Sequence, residues 1–214
     1  PGVAWRAVVL ATALMTLSGG LVTEFIAKDG PHPFQKAVFA PRQAWLATRH
    51  PGVRLAALGY FGHMWELYAM WTWFPLFARE SLPNLGVASG NVSLVCFLVI
   101  AFGAVGCYFG GVYGDSWGRT RVTSLAMLCS GACALTMAFL PLGLAAWLAV
   151  ALLWGLSVNA DSAQFTTIVS EVADQSYVGT AVTLQFAVGF LLTNVTLWLT
   201  PKLHLRSEEH TSEL

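Results

Sequence analysis

A histidine and a glutamate interrupt a run of apolar and aromatic residues, Gly59-Tyr60-Phe61-Gly62-His63-Met64-Trp65-Glu66-Leu67-Tyr68. If the run is helical, their spacing puts His63 and Glu66 on one face. Gly59, Gly62, Ala69, Met70 and Trp73 share that face. A carboxyl group held away from water gains by binding a proton, so Glu66 is a candidate proton carrier. His63 can relay that proton or hold a substrate. The small residues would admit a neighbouring helix or leave a cavity, with Trp73 closing its outer side. The competing reading is a polar pair that ties helices together through hydrogen bonds. A metal site is not indicated, because the His-x-x-Glu spacing has no third ligand at useful distance. No cofactor pattern is present, and no nucleophile stands beside a base, so no catalytic residue is assigned.

Two further polar groups interrupt apolar sequence. Ser157, Asp161 and Gln164 share a helical face beside Asn159 and Ser162. Their place near the cytoplasmic edge of a span would let water reach Asp161. It would then cap the helix, pair with Arg119 or Arg121, or form part of an inner gate. Gln185, Gly189, Thr193 and Thr196 also follow helical spacing, as interhelical hydrogen-bonding groups or as a cavity lining. Cys96, Cys107, Cys129 and Cys133 lie in apolar stretches without a Cys-x-x-Cys pair, which fits buried thiols rather than disulfides or zinc.

The elements that must carry these groups follow from composition. Of 214 residues, 56% are apolar and only 10% charged, and the mean hydropathy is +0.63. Such a chain cannot cover a soluble surface. A formal net charge of +0 speaks against nucleic-acid binding, which needs a basic excess. A bilayer core takes about 20 apolar residues as a helix. Six runs qualify, approximately 5–26, 54–78, 91–112, 122–140, 142–163 and 178–200. They are continuous rather than alternating, so helices and not a barrel are expected. Lys28, Lys36, Arg42, Arg49, Arg54, Arg119 and Arg121 fall on one side, against Arg6, Arg79 and Lys202 on the other. The positive-inside rule therefore places the 27–53, 113–121 and 164–177 connections in the cytoplasm. Gly106, Gly110 and Gly114 recur every fourth residue, a spacing that lets helices approach closely.

The connection after the third run reads Gly111-Val112-Tyr113-Gly114-Asp115-Ser116-Trp117-Gly118-Arg119-Thr120-Arg121. By itself it is a tight basic turn. It also resembles the signature loop of the major facilitator superfamily, with Gly111, Asp115, Gly118, Arg119 and Arg121 on the pattern and Ser116, Thr120 and Tyr113 departing from it. Asp115 would stabilise the positive end of a neighbouring helix. Arg119 and Arg121 would pair with carboxylates or anionic headgroups. Gly30-Pro31-His32-Pro33, the 59–68 stretch and Gly179-Thr180-Ala181-Val182-Thr183-Leu184-Gln185 look like a bacterial branch of the same superfamily.

The resemblance covers residues 5–205 and implies an all-α membrane fold of twelve helices, of which this chain carries six. The loop position makes residues 1–26 helix six, 27–53 the central cytoplasmic linker and 54–205 the C-terminal half through helix eleven. Residues 206–214 match the translation of a sequencing-library adapter and are expected to be foreign. The implied function is secondary active transport of a small molecule by alternating access, coupled to protons. The implied setting is a bacterial inner membrane, with the lipid bilayer and the missing N-terminal half of the same chain as partners. The alternatives are a membrane sensor of the same fold that does not transport, and an intramembrane enzyme using His63 and Glu66.

Overall fold

A computed structural model describes residues 5–27 and 41–212. The chain divides into two units, Pro1–Lys36 and Ala37–Leu214. The described part of the first is one apolar helix, α1 (Trp5–Phe25). Its hydroxyls turn back onto its own carbonyls, as Thr12 Oγ1 does to Val9 O and Thr16 Oγ1 to Thr12 O. That leaves no side-chain donor facing lipid unsatisfied at these positions. Residues 28–40, which hold Lys28, Lys36 and the Gly30–Pro33 stretch of the expected linker, lie outside the described residues.

The second unit is helical throughout, with no strand among the described residues. A short helix, α2 (Pro41–Arg49), precedes the long α3 (Pro51–Ser81). His50 caps α3 by accepting from Val53 N, and Pro51 occupies its first turn, where no amide hydrogen is needed. After two short 3₁₀ turns come α4 (Val92–Ala101), α5 (Gly103–Trp117) and α6 (Arg119–Phe139). Then follow α7 (Leu144–Ala160), α8 (Ser162–Val172) and α9 (Val178–Ser212).

Five segments are long and apolar enough to cross a membrane: α1, 89–117, α6, 144–172 and 178–202. The expected 54–78 span is different in kind. At 31 residues, α3 is about 46 Å long, more than a bilayer core requires. Its hydropathy is lowered by His63, Glu66, Pro75 and its tryptophans and tyrosines. The fifth span also departs from expectation. Its helix does not end near residue 163 but breaks at Asp161 and resumes as α8 to Val172, leaving only 173–177 as a connection. Polar residues there had read as loop. They are compatible with a helix because Thr167 Oγ1 donates to Ala163 O and Ser170 Oγ to Thr166 O. The backbone of α9 continues past Pro201 through most of the stretch expected to be foreign.

Packing follows the glycines. A Cβ on Gly106 or Gly110 would overlap the carbonyl oxygen of Leu156 or Ala160, and one on Gly155 would overlap that of Val99. The segments α4–α5 and α7 therefore meet backbone to backbone, and Cys107 Sγ reaches Asn159 O at 3.2 Å. Close approach of this kind replaces the hydrophobic drive that lipid does not supply. At one end Leu82, Val92, Met137 and Trp147 form a core. At the other, Ala47, Val53, Val169, Ala173 and Ala181 bring α2, α3, α8 and α9 together.

Candidate functional site

Glu66 lies halfway along α3 and is half-buried. Ser130 Oγ, from α6, donates to Glu66 Oε1. Ser130 was not singled out in the sequence; only its place in an apolar helix (α6) could have marked it. No cationic side chain is paired with Glu66 among the described residues. The carboxylate borders a recess of about 350 Å³ lined by Trp65, Ala69, Met70, Trp73, Phe74, Phe77, Ala134, Trp154 and Thr200. Four helices, α3, α6, α7 and α9, thus contribute to one aromatic pocket. Trp73 lines the same recess as Glu66. Phe74 meets Trp154 edge to face at 6.0 Å and fixes its ring.

His63 turns elsewhere. It shares the expected face in sequence, yet it does not line the recess. Its Nδ1 stands 3.0 Å from Asp161 Oδ1, and both side chains are almost wholly buried, at 3% and 2% exposure. Its Nε2 lies 3.3 Å from Ser162 Oγ. The pair joins the middle of α3 to the break between α7 and α8. Asp161 is therefore not the water-accessible interfacial group expected from sequence, and it pairs with neither Arg119 nor Arg121. The reason is the length of α8, whose 11 residues carry the helix about 16 Å beyond Asp161.

The signature loop makes a second polar cluster. Gly118 holds φ of 96°, a conformation that favours glycine, and joins α5 to α6. Arg119 then reaches three partners. Its Nη2 is 2.9 Å from Asp115 Oδ1 and its Nε 2.7 Å from Glu171 Oε1. Its Nη1 donates to Gln164 Oε1 at 3.0 Å. Gln164, 2% exposed, passes the contact on by donating from Nε2 to Gly110 O at 3.1 Å. Asp115 thus meets Arg119 rather than the positive end of another helix. Arg121 is exposed and has no ion pair among the described residues. Gly111 has open space where a Cβ would point, so nothing steric requires glycine there. Glu171 was not singled out in the sequence, and it meets Arg119 across 52 residues of chain.

Gln185 is buried, and neither its Oε1 nor its Nε2 has a partner among the described residues. It lines a second cavity of about 390 Å³ with Arg54, Phe61 and Val188. Thr193 and Thr196 bond back to Phe190 O and Leu192 O of their own helix, not across to a neighbour. Among the described residues no three His, Cys, Asp or Glu side chains are grouped to hold a metal.

A family model, Major Facilitator Superfamily, matches residues 2–195. No curated protein and no solved structure matches the chain.

Proposed function

The chain belongs to the major facilitator superfamily, and from that premise we propose that it is part of a secondary active transporter coupling a small molecule to protons. It is an integral multi-pass membrane protein, and members of this superfamily are transporters rather than enzymes. In this reading the chain supplies helices six to eleven of twelve, in a bacterial inner membrane. The remaining helices complete a site at the midplane, about which two halves rock.

One observation carries the proposal. Glu66 sits in the middle of a long helix, borders a recess, and has a hydroxyl but no paired cation beside it among the described residues. A lone intramembrane carboxylate is costly and is held neutral by a proton or balanced by a ligand. Alternating between those two is what coupling requires. The buried His63–Asp161 pair sits at the break of the facing helix, where a relay or hinge would act. His63, Asp161 and Gln164 are thus proposed for proton handling and gating, and Glu66 and Trp73 for the transport site.

The test is reconstitution of the complete protein in vesicles holding a trapped pH dye, challenged with a panel of small metabolites. A solute that drives proton movement only when protein is present supports the reading. Solute binding without any flux would instead identify a sensor. Robust transport by residues 1–205 alone would overturn the two-half arrangement.

A further inference from the structure

The recess beside Glu66 has an unusual chemical balance. Among the described residues, one carboxylate is its only charged group, and no lysine, arginine or histidine lines it. Five aromatic rings from two helices, Trp65, Trp73, Phe74, Phe77 and Trp154, make up much of its wall. The recess volume of about 350 Å³ falls in the ~300–1,000 Å³ range of small-molecule sites. Ser130 binds one carboxylate oxygen, and a hydroxyl cannot neutralise the charge.

We propose that this recess binds an organic cation, an ammonium or similar group carried on an apolar or aromatic body. The inference rests on the transporter reading above and names the substrate class of that same site. Two forces select the ligand. The carboxylate attracts positive charge more strongly where water is excluded. Indole faces attract the same charge through their ring quadrupole and reject anions. A neutral apolar molecule would fill the space but leave Glu66 uncompensated. An anion would meet the carboxylate's repulsion as well as the rings'. The cation is held with its charge near Glu66 and its apolar body against the rings.

The probe is benzyltrimethylammonium, with neopentylbenzene as its uncharged isostere, carbon replacing nitrogen, and benzenesulfonate as an anion of similar bulk. Binding of radiolabelled probe to the complete protein in detergent is expected to saturate. It should be displaced by unlabelled probe but not by the isostere or the sulfonate. Glu66→Gln should weaken binding at least tenfold, whereas Glu66→Asp, which keeps the charge, should stay within a few-fold. Trp154→Leu should weaken binding about tenfold and Trp154→Phe less, since the phenyl ring keeps part of the cation contact. Equal competition by the isostere, no saturable binding, or unchanged affinity in Glu66→Gln overturns the proposal. Misfolding is separated by the Asp and Phe variants, which keep the chemistry and a similar shape. If the probe fails to bind while metabolite-driven proton flux persists, the transporter reading stands and the cation inference falls. If the probe binds but no solute moves protons, the reverse holds.

Discussion

Single residues divide into those whose loss leaves a buried partner stranded and those whose loss does not. His63 and Asp161 are the first kind. Removing one member of a buried pair costs about 3–5 kcal/mol, because the other stays behind unpaired. His63→Leu is therefore expected to lower the melting temperature of the purified protein sharply. Asp161→Asn should be milder, since an amide can face a neutral imidazole. Equal melting of both variants and wild type would show that the 3.0 Å contact contributes nothing. Arg119 belongs to the second kind at its outer contacts. Asp115 is 69% and Glu171 53% exposed, and such pairs contribute about 0–1 kcal/mol. Gln164 is buried, and its loss leaves Gly110 O and the guanidinium each short of a partner, which costs about 1–3 kcal/mol. Melting curves should thus rank Gln164→Leu below Glu171→Gln, and the opposite order would contradict this account. Composition and spacing singled out Glu66, His63, Asp161 and Gln164 from the sequence, and the resemblance of the 111–121 loop singled out Arg119. Their partners were not legible, because Ser130 and Glu171 meet them across more than 50 residues of chain. Only the packing of separate helices determines that.

At the scale of elements, the four-residue glycine spacing announced a close helix contact, and the contact exists. What the spacing could not say was which helix approaches. That depends on Gly155 and on the carbonyls of Leu156 and Ala160, which have no pattern of their own. Two adjacent glycines provide the contrast that tests it. Gly110→Ala places a methyl group into the Ala160 carbonyl, so the helices must separate. A loss of about 1–3 kcal/mol, as for other overpacked contacts, is expected. Gly111→Ala meets open space and removes a flexible residue from a helix, for a gain of up to about 1 kcal/mol. Thermal unfolding of the two variants checks both signs. Helix ends were less legible than helix existence. The polar run 164–172 read as a loop, yet hydroxyls bonded to their own helix let it continue. That error also misplaced Asp161 by bringing it near the membrane surface.

For the whole molecule, hydropathy and the signature loop identified a helical membrane protein of the right superfamily. The structure adds which connections share an end. Arg119 and Glu171 hold the 113–121 and 173–177 segments together, while Leu85, Leu142 and Leu144 gather the opposite connections. With the native cysteines replaced, cysteine at Ser116 or Ser176 should label from the cytoplasmic face only. Cysteine at Asn84 or Pro141 should label from the outer face only. Labelling of Ser116→Cys and Ser176→Cys from opposite faces would break this topology. Charge counting predicts the orientation, but the candidate site is built by side chains that converge from four helices around Glu66. No single stretch of sequence displays that convergence.

The central claim is that Glu66 is the group through which solute and proton are exchanged. The most direct measurement compares wild type with Glu66→Gln in vesicles with an imposed pH gradient, at matched protein content and matched melting temperature. The account predicts that gradient-driven solute flux disappears in the variant. Gradient-driven flux equal to wild type would contradict it and leave Glu66 as a structural partner of Ser130.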